Sequence, residues 1–366
     1  MRKIAVITHA YHQKTKSANL YVDEIFHHDK FKADYFYIDD VCKNPSALSL
    51  PPIVDYDIVI LIQLISLEII KKIKCNNIIF IPMYDFSVSW DAIKWLDCID
   101  LKILCPTKKM HSELCEFGLN SFYIKYYPEP YDFIPGNLKN VFLWQRVNDI
   151  NINLILKLLQ QHAIEKIHLH RALDPHNNFV EPSKAEIAKY NITFSDWFQN
   201  QNQYIDCIRN AGIYIAPRLR EGGAAAFIDG MKMGKIVVAH NDGAMNEYIE
   251  HGVNGILFDV NNAQIINFDE YDIPAMQKNA FQSVIDGRKK WLESIENILS
   301  FIDSNHVASF SPKNIIKIRD SARDFQIEEV KQFNQLITMY KTAAEERFTL
   351  IKKLFRIIRK HLFKKG

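Results

Sequence analysis

Residues 220–249 read REGGAAAFIDGMKMGKIVVAHNDGAMNEYI. An acid, Glu221, stands directly before the pair Gly222–Gly223, and a second acid, Asp229, follows eight residues after the first. The chain has 12 glycines, and eight of them fall between Gly212 and Gly255. Glycine suits places where backbone turns sharply or lies close against a ligand. An apolar run, IYIA at 213–216, precedes the glycine pair, and a helix-compatible segment follows it. Strand, glycine turn and helix start together present the free N–H groups of Gly222, Gly223 and Ala224 to a phosphate. With Asp229 two turns into that helix, it lies about 12 Å along the axis from Glu221. The spacing suits a long ligand with hydroxyls at both ends and a diphosphate between them, which is the form of a nucleotide-sugar.

Outward from this stretch, short apolar runs alternate with helix-length amphipathic segments, the cue for parallel sheets with crossover helices. In the first half they are IAVIT (4–8), YFYI (35–38), IVILI (58–62), IIFI (78–81), KILC (102–105) and FYIK (122–125). In the second they are VFLW (141–144), IHLH (167–170), ITF (192–194), IYIA (213–216), IVVA (236–239) and ILF (256–258). Two similar sets predict an α/β fold of two Rossmann-like, doubly wound domains, residues 1–135 and 136–310, facing a central cleft. The seam falls in the turn-rich stretch 128–139, which carries Pro130, Pro135 and Gly136. From about Ser311 the chain becomes polar and helical, so 311–366 forms a C-terminal extension.

A length of 366 residues, 48% of them hydrophobic, supplies two cores. Residues 1–135 hold a single glycine, Gly118, so no G-x-G-x-x-G turn follows the first strand. That argues against a dinucleotide-binding oxidoreductase. The six cysteines (42, 75, 98, 105, 115, 207) show no C-x-x-C spacing and read as reduced thiols, neither a disulfide frame nor a zinc site. The start MRKIAVITHA runs straight into a strand, and no window approaches 18 uninterrupted apolar residues; the expectation is a cytoplasmic chain.

The glycine-rich stretch resembles the donor-site signature of two-Rossmann-domain (GT-B) glycosyltransferases, the retaining family 4 in particular. That signature is E-G-x-P-x-x-x-x-E-A-M-A-x-G-x-P-V-V-A, then a glycine pair and E-x-V-x-x-G-x-x-G. Here it reads Glu221-Gly222-Gly223, Asp229-Gly230-Met231, Gly234, IVVA at 236–239, Gly243, and Glu247-Tyr248-Ile249 followed by Gly252 and Gly255. The sequence departs from it at Asp229, which replaces a glutamate, and at Ala224, which replaces a proline. The family's G-R-x-x-x-x-K after the first strand of the second domain is represented by Arg146 alone, since Ile152 stands at the lysine position. Arg218 and Arg220 are the candidate replacements.

The resemblance implies transfer of a sugar from a nucleoside-diphosphate sugar, with retention, to a glycan or lipid-linked acceptor of bacterial surface polysaccharide or lipopolysaccharide synthesis. Glu221 would then take hydrogen bonds from the sugar and Asp229 from the ribose. The helix N–H groups and arginines would carry the phosphate charge, with no metal or other cofactor. Glu247 opens the next helix, where an acid favours the helix dipole, or contacts the donor. The first domain would hold the acceptor. Asp85, just past IIFIP, either meets the acceptor hydroxyl or caps a turn. His111 lies in PTKKMHSELCEFG, which resembles the family's strand–helix–glycine element before the seam. Asp55-Tyr56-Asp57 imitates a D-x-D metal motif but precedes its strand, at the wrong edge of a parallel sheet, and reads as structural. Two other readings stay open: a nucleotide-sugar epimerase or sugar phosphorylase on the same fold, and a non-catalytic membrane-associated scaffold.

The final stretch, RFTLIKKLFRIIRKHLFKKG at 347–366, holds eight Lys or Arg, among them Lys352, Lys353, Arg356, Arg359 and Lys360, and no acid. Removing its +8 from the formal +2 leaves −6 on the other 346 residues, so the basic character is local. Ile351, Leu354, Phe355, Ile358 and Leu362 recur at helical spacing, the profile of a helix lying in an anionic membrane interface. The plainer reading is a solvated helix packing its apolar stripe on the first domain. Nucleic acid is disfavoured, because nothing else along the chain extends the basic surface.

Overall fold

A parallel strand covered by helices on both faces is buried on both faces, so it reads as an unbroken apolar run and not as an alternation. All twelve such runs are strands in the computed structural model. The structure describes all residues except 16–18, 27–29, 39–49, 175–176, 199–200, 224, 306–307 and 363–366; side chains at 14–15, 19–21, 201, 225, 340 and 343–362 are also outside the description. Ala224, Cys42 and the side chains of the basic tail therefore lie outside the described residues.

The first sheet comprises β1 (Arg2–His9), β2 (Phe31–Ile38), β3 (Ile58–Ile62), β4 (Ile78–Ile81), β5 (Lys102–Cys105) and β6 (Ser121–Tyr123). All pairings are parallel, in the order β2-β1-β3-β4-β5-β6. The second comprises β7 (Asn137–Trp144), β8 (Lys166–His170), β9 (Thr193–Ser195), β10 (Ala211–Ile215), β11 (Ile236–His240) and β12 (Ile256–Phe258). It is also parallel throughout, in the order β12-β11-β10-β7-β8-β9. Each sheet winds outward in two directions, from between β1 and β3 in one and between β7 and β10 in the other. Ligands of open α/β sheets sit beyond the carboxyl ends of the strands at these reversal points.

The chain after β6 docks at once on the second domain: the N–H groups of Tyr131 and Ile134 donate to the carbonyls of Lys232 and Met233, at 3.1 and 2.9 Å. The 31-residue helix Ile273–Asp303 then ties the halves together. Asp272 caps it by accepting from Ala275 N, and Pro274 fits the first turn, where no N–H partner is needed. Met276, Ala280, Val284, Trp291, Ile295, Ile298 and Ile302 form its buried side. Trp291 Nε1 donates to Glu24 of the first domain at 2.7 Å, Tyr126 Oη donates to the same carboxylate at 3.0 Å, and Arg288 pairs with it. A side chain at Gly287 would put its Cβ 2.5 Å from the Tyr127 ring, so only glycine lets the helix lie this close.

By compactness the chain forms two units, Met1–Ser89 with Asp97–Ser309, and Trp90–Leu96 with Phe310–Gly366. The first holds both sheets. In the second, the short helix Ala92–Trp95 packs on the 51-residue helix Pro312–Leu362, whose Val330, Phe333 and Met339 are exposed. Among the described residues no helix is long and apolar enough to cross a membrane.

Candidate active site

Three strands of the second sheet deliver charged side chains to one place beyond their carboxyl ends. β7 leads into Arg146, β8 into Asp174, and β10 into Arg218 and Glu221. Arg146 Nε and Nη2 both donate to Asp174 Oδ1, at 3.1 and 2.8 Å. Arg218 Nε donates to Asp174 Oδ2 at 2.8 Å. One carboxylate thus holds two guanidiniums, one on each oxygen. The Trp144 ring lies 4.6 Å beneath the Arg146 guanidinium and is fixed by its own Nε1 bond to Ala172 O at 2.8 Å. The charged groups are only 13–18% exposed, so their interactions are weakly screened.

The first domain reaches into the same place. Beyond β4, Asp85 lies in the helical turn Tyr84–Ser87, and its Oδ2 pairs with Arg218 Nη1. Tyr84 N donates to Gly222 O at 3.4 Å. A Cβ on Gly222 would stand 2.5 Å from Asp85 Oδ1 and 2.9 Å from Met83 Cβ, so the missing side chain is what admits this contact.

Glu221 is 4% exposed, and its Oε1 has no hydrogen-bond partner. Burial pushes its carboxyl up to about 7, against the pull of Arg218 and Arg146, and with a further push from Asp85 and Asp174. Asp85 Oδ1 is likewise buried without a partner. Two unpaired acceptors from two domains are costly in isolation, and hydroxyl groups are the donors that fit both. Burial works against the charge of Arg218, but Glu221, Asp85 and Asp174 together raise its pKa, so it stays cationic.

The remaining expected donor residues divide. Asp229 stands in the helix Ala225–Met231, hydrogen-bonded to Lys232 (3.4 Å) and Tyr204; burial raises its pKa and Lys232 opposes the shift. Tyr214 Oη bonds Tyr204 Oη and donates to Ala226 O, both at 2.8 Å, and burial pushes its phenol well up, with Asp229 and Glu221 adding to the shift and Arg146 opposing it. Gly223 follows Gly222 at the mouth of this turn. Arg220 and Glu247, expected at the donor, are instead engaged at the seam. Arg220 donates to Asp242 at 3.0 Å, and Lys109 of the first domain reaches the same acid at 3.2 Å. Glu247 accepts from Lys108 N at 2.7 Å and from Tyr123 Oη at 2.8 Å, and its carbonyl accepts from Lys125 Nζ at 2.6 Å. Glu247 stands in the first turn of the short helix Met245–Tyr248, as expected, and its carboxylate also meets the first N–H of the helix Lys108–Glu116, whose cap is Thr107. Ile152 is fully buried in the core under the second sheet, so the place of the family's lysine is closed to a ligand.

Other expectations fall away from the cluster. His111 bonds Ser121 Oγ at 2.8 Å and stacks on Tyr123. Asp57 Oδ2 accepts from Lys3 N at 2.7 Å at the amino ends of β1 and β3, as expected of a structural acid. Sequence reasoning missed Asp174 and Trp197, and placed Tyr11 only within the segment 9–17 on the first sheet's carboxyl edge. The Tyr11 ring meets Trp197 edge-on at 6.4 Å, and Trp197 meets Trp144 at 6.2 Å. Burial raises the Tyr11 phenol, with Arg146 and Arg218 pulling against it and Asp174 adding to it. The signal for Asp174 was available: it follows IHLH at a strand's carboxyl end, the side on which open α/β sheets bind their ligands.

Residues 151–267 match the family model described as glycosyl transferases group 1. No curated protein matches the chain in sequence. In fold it is similar to a glycosyltransferase from Rickettsia africae ESF-5, at 15% identity and TM-score 0.55, covering 83% of this chain and 99% of that one. It is also similar to HepE from Anabaena in complex with UDP and glucose, at 12% identity and TM-score 0.56, covering 82% of this chain and 98% of that one.

Proposed function

We propose that this glycosyltransferase, similar to the group 1 enzymes over residues 151–267, moves a sugar from a nucleoside-diphosphate sugar to a glycan or lipid-linked acceptor, with retention. The observation that carries the reading is the buried carboxylate of Glu221 and the half-buried one of Asp85, each with one buried, unpartnered oxygen, beside the guanidiniums of Arg146 and Arg218. Departure of the nucleoside diphosphate builds charge on its β-phosphate, and preorganised cations and N–H groups in a poorly screened site stabilise that charge. Arg146, Arg218 and the backbone of Gly222 and Gly223 serve this role, without a metal ion. Glu221 accepts from the sugar hydroxyls, and each such bond favours its ionised form. Asp85 receives the acceptor hydroxyl's hydrogen, and Asp229 accepts from the ribose. The UDP bound by HepE makes uracil the first base to try.

Thermal-shift screening with UDP-, GDP- and ADP-sugars in EDTA tests this reading. One base is expected to raise the melting temperature with no metal present; no shift with any of them removes the reading. One observation favours the scaffold alternative: both arginines are already neutralised by Asp174 and Asp85. The same screen separates the two, since a silent scaffold is not stabilised by nucleotide-sugars.

The acceptor belongs to bacterial surface polysaccharide or lipopolysaccharide synthesis in this reading, met at the inner face of the cytoplasmic membrane. Lys352, Lys353, Arg356, Arg359 and Lys360 fall in the helix Pro312–Leu362 and supply the attraction to anionic lipid, each worth about 1 kcal/mol near such a surface. Deleting 347–366 is expected to release the protein from anionic vesicles while sparing donor binding. Full, salt-insensitive vesicle binding by the truncated chain contradicts this.

A further inference from the structure

We infer that the two carboxylates on Arg218 act in opposite directions: Asp174 positions Arg146 and Arg218 for the donor's diphosphate, and Asp85 competes with that diphosphate for Arg218. The inference rests on the donor reading above and adds two roles to it.

Asp174 and both arginines follow strands of one sheet. It meets Arg146 through Nε and Nη2 on one oxygen and Arg218 through Nε on the other. Two guanidiniums side by side repel, and a shared carboxylate offsets the repulsion and fixes both planes at once. The strands that carry the three residues, β10, β7 and β8, are neighbours in one hydrogen-bonded sheet. Asp85 is different. It comes from the first domain and uses the remaining arm of Arg218, Nη1. A phosphate is a bidentate acceptor of the same kind as a carboxylate, so it can take Nη1 from Asp85 without disturbing the Asp174 contacts. Displacement frees the Asp85 carboxylate at the moment the donor is in place, which is when an acceptor hydroxyl needs it.

Binding of UDP, GDP and ADP, and of the three nucleosides, is measured by calorimetry for the wild type, Asp174→Asn and Asp85→Asn. Simple removal of a negative charge near a phosphate tightens binding in both variants. Positioning against competition gives opposite signs: nucleoside diphosphate binding weakens about tenfold in Asp174→Asn and tightens about three- to tenfold in Asp85→Asn, with nucleoside binding unchanged in both. Should Asp174→Asn not fold, Asp174→Glu keeps the charge, displaces it by one methylene, and is expected to weaken diphosphate binding likewise. Shifts of the same sign in both variants, or equal shifts for nucleoside and diphosphate, overturn the inference and leave the donor reading standing. A wild type that binds none of the three diphosphates overturns both.

Discussion

The two sheets share one architecture, six parallel strands wound outward in two directions, yet they equip their carboxyl edges differently. The second sheet's edge is rich in glycine: Gly222 and Gly223 follow β10, and Gly243, with φ of 62°, follows β11. The first sheet's edge has none. Beyond β3 it holds Gln63 at φ 65°, a conformation that is costly without glycine, and beyond β4 it offers Met83, Tyr84 and Asp85. The two edges are complementary. A Cβ at Gly222 would meet Asp85 and Met83, and one at Gly243 would lie 3.3 Å from the Tyr84 ring. The glycines therefore seat the first domain. A glycine-rich turn that looks like a ligand cradle is also a docking surface, and the docked residues include Asp85.

The comparison is broken most directly from the second edge. Glu221→Ala is expected to lower transfer by about 10²–10³ with the fold intact, because a carboxylate that orients the sugar acts through geometry and preorganisation. Near-full turnover with every accepted donor removes Glu221 from the site. The first edge sharpens it. Asp85→Ala is expected to cost about ten- to a hundredfold in turnover, the range of a single general acid–base group, without loss of nucleoside diphosphate affinity. If instead diphosphate affinity falls as far as turnover, the two edges bind the same ligand and Asp85 is no acceptor residue.

The fold was legible in the sequence almost strand by strand, because double burial writes a parallel strand as a plain apolar run. IVILI at 58–62 and IVVA at 236–239 needed no context. The site was legible where one strand's own continuation supplies it, as with Arg146, Arg218 and Glu221. It was not legible where two distant segments meet. Nothing local says that Glu247 accepts from Lys108 N, or that Asp242 takes Lys109 beside its near neighbour Arg220, since the two lysines stand 139 and 133 residues from those acids. Asp174 was overlooked for another reason. Its neighbours carry no glycine motif, and its importance lies in joining Arg146 to Arg218, a relation that exists only once β7, β8 and β10 lie side by side.

The smallest expected effect concerns pH, and it tests whether Glu221 is as enclosed as the closeness of the two edges makes it. Its carboxyl is raised from 4.5 to about 7, with burial the largest cause. An acid whose folded pKa exceeds its unfolded value keeps its proton in the fold after the unfolded chain has released it. Stability from this group is therefore complete below about pH 4.5, declines as pH rises through the window, and is lost above about 7. Glu221→Gln imitates the neutral acid and escapes the decline. The two proteins are expected to melt together near pH 4 and to separate by pH 8, with the variant more stable by at most about 3 kcal/mol. A nucleotide-sugar that donates hydroxyls to Glu221 favours the ionised form, so adding donor at pH 8 should narrow the gap by stabilising the wild type more. Equal melting at pH 8 without ligand means that water reaches the carboxylate and the edges do not enclose it. A gap that the donor leaves unchanged means that Glu221 is enclosed but faces no sugar hydroxyl.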